Sequence, residues 1–184
     1  VGVPKETFPG ETRVAMVPSV AGALAKTGVQ VVVERGAGDA SGYTDADYQA
    51  KGATLASRDD VFAKATIVVQ VRAAGANPSG ARDDARRYRR GQVVVTMADP
   101  LGEPEALREF ASTGASLLAL ELVPRITRAQ SMDVLSSMAT VAGYKAVLMA
   151  ANALPRMFPM MMTAAGPITP ARVFVVGAGV AGLQ

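Results

Sequence analysis

The sequence contains no cysteine and no histidine among its 184 residues. Without cysteine there can be no disulfide, no thiolate nucleophile and no zinc–thiolate site. Without histidine the commonest general base and the commonest metal ligand are both missing, and a Ser-His-Asp triad is excluded. We therefore predict no metal site. Any chemistry must use carboxylates or lysine for proton transfer, or need little proton transfer, as in hydride transfer from a cofactor.

An excess of charge of one sign and long apolar runs are also lacking. The 19 basic and 16 acidic residues give a net charge of +3, which is too small to indicate nucleic-acid binding. The arginine-rich run from Arg82 to Arg90 is expected to be a solvated helix face, with a patch for phosphate or an acidic partner as the alternative. The apolar stretch from Tyr144 to Met162 is interrupted by charged residues and prolines, so no membrane-spanning segment is expected.

Both ends of the chain look cut. The sequence starts with a strand-like segment at Val1, and no signal peptide is recognised. It stops at Gln184, immediately after a glycine motif. The length predicts one full domain followed by part of a second.

Short β-branched runs alternate with amphipathic segments through the first 120 residues. Five strands are predicted, at Val1–Val3, Val29–Glu34, Thr66–Val71, Gln92–Met97 and Ala115–Leu120. Helices are predicted between them, at Pro18–Thr27, Tyr43–Lys51, Arg58–Lys64, Ala81–Arg90 and Glu103–Ser112. Because the strands are almost continuously apolar, this order is typical of an α/β fold, a Rossmann-like parallel sheet with helices on both faces.

The character of the sequence changes after Pro124. Thr127 and Gln130 resemble a helix capping box, and a long helical pattern follows as far as about Ala153. A connection rich in proline, glycine and threonine then leads to a further strand, Arg172–Val176. We divide the chain into an N-terminal Rossmann-like domain (1–125), a connecting helix and linker (126–162) and the start of a second, incomplete Rossmann domain (163–184).

A G-x-G-x-x-G motif follows this last strand directly. Gly177 allows a tight turn, Gly179 lets the backbone approach a pyrophosphate, and Gly182 lets the following helix pack closely. Together with Ala178 and Val180 they form the predicted dinucleotide-binding turn of an NAD-binding domain, in which the N–H groups of a helix N-terminus face the phosphates. The alternative is a tight strand–helix turn that binds no ligand. The acidic residue that would bind the ribose should lie about 20 residues further on, beyond the last residue.

Polar residues are dense just before and within the start of the long helix. Gln130, Asp133, Ser136 and Ser137 fall on roughly one helical side, and Arg125 precedes them. These side chains could line a ligand site. Equally, Asp133 favours the positive N-terminal end of a helix, and Gln130 could cap it. The residues alone leave the two interpretations level.

The loop after the first strand is also polar and carries Lys5, Glu6 and Arg13. Ligands of parallel sheets bind at the carboxyl ends of the strands, so these side chains could reach a cleft. The alternative is surface ion pairing, which contributes little to stability.

The segment Arg125–Lys145 (RITRAQSMDVLSSMATVAGYK) resembles the signature of the NAD(H)-binding component of proton-translocating transhydrogenase. The opening VPKET…GETRVA and the closing VVGAGVAGL also resemble that family and its relative, alanine dehydrogenase. The resemblance extends over nearly the whole chain. It implies two α/β domains flanking a cleft, with NAD(H) bound mainly to the second.

By this resemblance, the glycine turn binds the pyrophosphate, and four polar residues contact the nicotinamide end and adjoining groups of NAD(H) as the catalytic set. These are Arg125, Gln130, Asp133 and Ser136. Asp133 and Arg125 are expected to form a hydrogen-bonded pair that fixes the site and the cofactor.

The family reaction is direct hydride transfer between NAD(H) and NADP(H), of the Si/Re-specific type, coupled to proton translocation. The resemblance implies a homodimer that docks on an NADP(H)-binding component and a transmembrane component, at the cytoplasmic or matrix face of the inner membrane. Direct transfer requires two nicotinamides in near-attack geometry rather than an acid–base residue. The present chain alone is expected to be inactive.

Two other functions stay open on the sequence. An alanine dehydrogenase-like amino-acid oxidoreductase would, by resemblance, use an arginine, a lysine and a histidine in its substrate site. Arg13 matches the first position, but Arg72 and Met97 stand at the other two, which counts against an enzyme that must move a proton. The third possibility is a non-catalytic dimerisation or docking module.

Overall fold

Six short strands of the first 123 residues hydrogen-bond into one parallel sheet. In a computed structural model that describes Val1–Gln184, the chain divides into two units, Val1–Val123 and Pro124–Gln184. The separate linker expected over 126–162 stays a prediction.

The sheet of the first unit has the strand order β3-β2-β1-β4-β5-β6, with every neighbouring pair parallel. This is the order of the doubly wound dinucleotide-binding folds, so the predicted fold class is confirmed. The strands are β1 (Gly2–Val3), β2 (Val32–Glu34), β3 (Thr54–Ala56), β4 (Ile67–Arg72), β5 (Val93–Met97) and β6 (Ser116–Ala119). All five predicted strands form. The strand β3 was not predicted, because three residues at a sheet edge are too few to give an alternating pattern.

Five helices connect these strands, and local capping residues explain where several begin. They are α1 (Pro18–Ala25), α2 (Asp45–Ala50), α3 (Arg58–Lys64), α4 (Ala81–Ala85) and α5 (Pro104–Ser112). Proline stands at the start of α1 and α5, where its missing N–H costs nothing. Thr44 caps α2 through a capping box with Asp47, and Ser57 accepts a hydrogen bond from the backbone N–H of Asp60 at the start of α3.

Helices cover both faces of the sheet, as the two residues of β1 demonstrate. Gly2 faces α3, since a Cβ at this position would lie 2.9 Å from a methyl carbon of Val61. Val3 points the other way, into a core cluster that contains Ala21 of α1 and Tyr48 of α2. A second core cluster joins β4 and β5 to the helices α3 and α5, and it includes Phe62, Val68, Tyr88, Val94 and Phe110.

The helix predicted over Ala81–Arg90 is shorter than expected and ends at Ala85. The chain turns after α4 because Tyr88 enters the core, where its ring packs edge-on against Phe62 and Phe110. The arginine-rich run is therefore not simply a solvated helix face. Asp84 is buried within it and accepts hydrogen bonds from the guanidinium of Arg58.

The second unit contains a long helix, a hairpin and one short helix. Its elements are α6 (Val134–Ala153), β7 (Met161–Thr163), β8 (Gly166–Ile168) and α7 (Val180–Leu183). The strands β7 and β8 pair antiparallel, in a segment predicted to be an irregular connection. The predicted strand Arg172–Val176 does not form, because no other strand lies beside it to accept its hydrogen bonds. Phe174 and Val176 of this segment are exposed.

By length and composition alone, α6 could cross a membrane. It has 20 residues and only one charged side chain, Lys145. Of the charged residues and prolines that interrupt Tyr144–Met162, only Lys145 lies within α6, which starts ten residues earlier. A core helix of a soluble protein can meet the same criteria. The expected absence of a membrane-spanning segment stays a prediction.

Candidate functional site

A polar pocket opens at the N-terminal end of α6 in the second unit. It has a volume of about 400 Å³ and is lined by Arg125, Ile126, Thr127, Gln130, Asp133 and Ser136. The four polar residues predicted as the catalytic set all line this one pocket. A 3₁₀ helix over Thr127–Met132 holds the segment, and Ala129 anchors it by being buried.

The helix α6 begins at Val134 and is capped by Asp133, not by the predicted box of Thr127 and Gln130. One carboxylate oxygen of Asp133 accepts the backbone N–H of Ser136 at 2.9 Å, and the other accepts the Ser136 hydroxyl at 2.6 Å. These two hydrogen bonds lower the pKa of Asp133, first the hydroxyl and then the backbone N–H. Asp133 therefore stays charged near neutral pH. Each carboxylate oxygen can accept more than one hydrogen bond, so capping leaves it able to bind a ligand.

The predicted hydrogen bond between Asp133 and Arg125 is not formed. No ion pair within 4.0 Å joins them, because Asp133 is turned toward Ser136. The positive charge of Arg125 still contributes to lowering the pKa of Asp133. The side chains of Arg125, Thr127 and Gln130 have no hydrogen-bond partner in this chain, so a ligand could use all three. By contrast, the Ser137 hydroxyl donates to the Asp133 carbonyl and is not part of the pocket lining.

The glycine motif forms a turn before α7 in the same unit. Gly177 has a φ of 104°, a conformation that favours glycine, and Gly179 is the N-cap of α7. A Cβ at Gly179 would meet nothing within 4 Å, whereas a Cβ at Gly182 would overlap the carbonyl oxygen of Gly177. Ala178 and Val180 complete the turn, and Val180 starts the helix. The geometry agrees with an open approach at the second glycine and close packing at the third.

Sequence reasoning missed one residue of this unit, Gly143, which is the only buried residue of α6. A Cβ at Gly143 would overlap the carbonyl oxygen of Ala181 and lie 3.0 Å from its Cα, so α7 crosses α6 backbone to backbone at this position. The sequence did contain a signal, a glycine inside a helical pattern. Glycine is less favourable there than alanine by about 1 kcal/mol, so its presence indicates that close packing requires it.

In the first unit, two of the three polar residues noted after β1 serve the structure. Glu6 accepts the backbone N–H groups of Val71 and Arg72 at 2.6 and 3.1 Å, where the register of β4 shifts. Burial is the main cause that raises the pKa of Glu6 to about 7. Lys5 is exposed. Arg13 is engaged by an internal carboxylate.

That carboxylate is Glu11, which binds two guanidinium groups. It accepts hydrogen bonds from Arg13 at 2.6 Å and from Arg72 at 3.0 Å, and Arg72 also lies 4.3 Å from the centre of the Phe8 ring. The hydrogen bonds from Arg13, followed by the one from Arg72, lower the pKa of Glu11 to about 2. Met97, at the end of β5, pairs with Arg72 of β4. An apolar side chain therefore stands where the resemblance to alanine dehydrogenase would have a histidine.

Carboxylates close three neighbouring strand ends of this sheet. Glu34, at the end of β2, accepts the backbone N–H of Lys5 just after β1. Glu6 closes the end of β4, as described above. Glu121 accepts the backbone N–H groups of Ala98 and Asp99 just after β5. No group of three or more acidic side chains has the arrangement of a metal site.

The chain matches a known family in both of its parts. The family described as "Alanine dehydrogenase/PNT, N-terminal domain" matches residues 2–142, and "Alanine dehydrogenase/PNT, C-terminal domain" matches residues 146–184.

Individual relatives cover the whole chain. It is 47% identical over 184 residues to "NAD(P) transhydrogenase subunit alpha" of Cereibacter sphaeroides, covering 100% of this chain and 34% of the relative. It is 33% identical to "Alanine dehydrogenase" of Mycobacterium tuberculosis, covering 99% of this chain and 48% of the relative. The solved transhydrogenase of Sinorhizobium meliloti superposes with a TM-score of 0.90 at 46% identity, over 98% of this chain and 52% of that one. The chain thus spans about a third to a half of the relatives it matches.

Proposed function

Because this chain belongs to the alanine dehydrogenase/transhydrogenase family, we propose that it is the NAD(H)-binding part of a transhydrogenase that transfers hydride directly between NAD(H) and NADP(H). The observation that carries the proposal is the 47% identity to a transhydrogenase alpha subunit, which extends over the whole chain. In the full complex this transfer is coupled to proton translocation across a membrane. The enzyme is of the Si/Re-specific type.

The second unit offers the two kinds of surface that a dinucleotide requires. The turn at Gly177–Gly182 leaves open space at Gly179, where a pyrophosphate can approach the backbone. The pocket at the start of α6 offers a guanidinium, an amide, a carboxylate and hydroxyl groups for the nicotinamide carboxamide and the ribose. Bound NAD(H) supplies or accepts the hydride. The residues present therefore fit this nucleotide.

The four pocket residues of the predicted catalytic set have defined roles in this proposal. Arg125 and Gln130, whose side chains have no partner within the chain, bind and orient the nicotinamide end and its neighbouring phosphate. Asp133 stays ionised through its bonds to Ser136 and accepts hydrogen bonds from the nucleotide. None of these residues has to donate or abstract a proton, in keeping with a pocket that contains no histidine.

The partners follow from the same proposal. The protein acts as a homodimer and docks on an NADP(H)-binding component and a transmembrane component. It lies at the cytoplasmic or matrix face of the membrane, peripheral to it through these partners. The present chain by itself is inactive, because hydride transfer requires the second nucleotide.

Equilibrium binding of NADH to the full-length protein tests the pocket assignment. We expect Asp133→Asn and Arg125→Ala each to weaken NADH binding about tenfold or more, since a hydrogen bond to a charged group is lost. Asparagine caps helices about as well as aspartate, so Asp133→Asn separates ligand binding from helix capping. Arg128→Ala is the matched control, because Arg128 does not line the pocket. Unchanged NADH affinity and hydride transfer in both pocket variants would refute the assignment.

Alanine dehydrogenase activity is the second candidate, favoured by the 33% identity to the M. tuberculosis enzyme. The pairing of Arg13 and Arg72 with Glu11, and Met97 in place of a basic side chain, speak against it. We expect no NADH oxidation with pyruvate and ammonia, whereas NADH should reduce NADP⁺ in the assembled complex. The opposite pattern of activities would replace the transhydrogenase proposal with this one.

A further inference from the structure

Gly143 lies in the middle of α6, away from the polar pocket, and packs against Ala181 of the glycine motif. Ten residues separate it from Asp133, which is about 15 Å along the helix axis. At Gly143 the helix α6, which carries the polar pocket at its start, packs against α7, which follows the glycine turn. The helix α7, which the glycine turn starts, packs on α6 here, with the Ala181 carbonyl against the Gly143 Cα.

The contact is made by backbone on both sides, so neither partner can yield by changing a rotamer. A Cβ at Gly143 would overlap the Ala181 carbonyl oxygen and come within 3.0 Å of the Ala181 carbonyl carbon and Cα. Ordinary van der Waals contact would require the two helices to separate by roughly 1 Å. Ala181 adjoins Gly182, which itself packs against the Gly177 carbonyl. A displacement of α7 would therefore be passed to the whole glycine turn.

We propose that Gly143 is a positioning residue, which sets the distance between the polar pocket at the start of α6 and the glycine turn before α7. The inference rests on the proposed function, because the distance matters only if one dinucleotide spans both places. A ligand held at one place alone should be insensitive to it. Gly143 touches no nucleotide in this assignment and acts only through the position of α7.

Two valine variants of the full-length protein separate this role from a general effect on α6. Gly143→Val places a side chain against Ala181, while Ala142→Val places the same side chain at the next, exposed position of the same helix. In the helix, valine is slightly more favourable than the glycine that it replaces at 143 and less favourable than the alanine that it replaces at 142, so helix propensity alone would harm Ala142→Val more. Gly143→Ala is the milder variant, and in an unconstrained helix it would be stabilising by about 1 kcal/mol.

The readout compares NADH, which spans both places, with ADP, which lacks the nicotinamide end. We expect both Gly143→Ala and Gly143→Val to weaken NADH binding about tenfold or more, with the larger loss in Gly143→Val. The affinity for ADP should change by about twofold or less in both variants. Ala142→Val should bind both as the unaltered protein does. Unchanged NADH binding in both Gly143 variants, or equal loss of NADH and ADP, would overturn the inference. If the unaltered protein bound ADP but showed no preference for NADH, the proposed function would fail and this inference with it.

Discussion

Glu6 lies in an environment unlike that of an ordinary surface carboxylate. Burial raises its pKa to about 7, although the backbone N–H groups of Val71 and Arg72 both favour the charged form. Glu11 also raises the pKa through like-charge repulsion, and Arg58 lowers it. The result is a carboxyl group that is about half protonated at neutral pH, at a point where it secures the end of β4.

We expect folding stability to decrease with rising pH because of Glu6. Its folded-state pKa of about 7 lies above the ordinary value of 4.5, so its contribution is complete below about pH 4.5 and is lost as the pH rises through 7. The linkage relation gives a loss of about 3 kcal/mol across this window. Glu6→Gln should remove the slope, as measured by urea unfolding from about pH 5 to 8.

An exposed carboxylate provides the control for this experiment. The pKa of Asp60 is lowered, chiefly by the hydroxyl of Ser57, so its contribution is already complete above its ordinary value of 3.8. Asp60→Asn should therefore leave the slope between about pH 5 and 8 unchanged. Parallel stability curves for Glu6→Gln and the unaltered protein would contradict the assignment to Glu6.

At the scale of elements, an aromatic cluster holds α3, α5 and the segment after α4 together. Phe62 is 1% exposed, and Tyr88 packs edge-on against both Phe62 and Phe110, at centroid distances of 5.3 and 5.1 Å. The Arg58 guanidinium lies 5.5 Å from the Phe62 ring centre, on the same helix. The cluster therefore joins the packing of α3 to its network of ion pairs.

Truncating Phe62, a buried ring of this cluster, should be costly. We expect Phe62→Ala to lower the free energy of unfolding by about 3–5 kcal/mol, since a buried aromatic side chain is lost and a cavity remains. Leu101→Ala, at a position 84% exposed, should change it by less than about 0.5 kcal/mol. Urea denaturation of both variants measures the difference. A small effect of Phe62→Ala would mean that the neighbouring rings collapse into the space.

The elements that the sequence predicts correctly are those whose own residues determine them. The central strands are continuous β-branched runs, and α3 (Arg58–Lys64) has the predicted bounds because Ser57 caps it. The errors depend on residues distant in sequence. Arg172–Val176 has a strand composition but no neighbouring strand, and Tyr88 ends the helical path after α4 because it packs in the core.

The same distinction applies to the candidate site. Spacing alone predicted that Gln130, Asp133, Ser136 and Ser137 lie on one side, and the first three of them line one pocket with Arg125, whereas Ser137 does not. Their roles stay predictions. The local pattern did not reveal that Asp133 is the N-cap of α6. Thr127 and Gln130 have the three-residue spacing of a capping box, so the sequence predicted the helix start at Thr127. Gly143 could not be found either, since its role requires Ala181, which lies 38 residues later in the sequence.

At the scale of the whole molecule, the chain accounts for 34% of the C. sphaeroides relative and 52% of the solved S. meliloti chain. Its first unit is a sheet of six strands with helices on both faces. The second unit carries the pocket and the glycine turn. Family membership therefore rests on the full length of this chain, while the complete catalytic reaction is a proposal about the larger protein.

The carboxylates at the strand ends of the first unit have a consequence for binding stoichiometry. Glu34, Glu6 and Glu121 already occupy backbone N–H groups just after β1, at the end of β4 and just after β5. A phosphate approaching that edge would meet negative charge where a nucleotide-binding sheet offers donors. The first unit thus has the strand order of a dinucleotide-binding fold, but the N–H groups at these three strand ends are bonded to carboxylates instead of facing a phosphate. A titration of the full-length protein should saturate at one NADH per chain, not two.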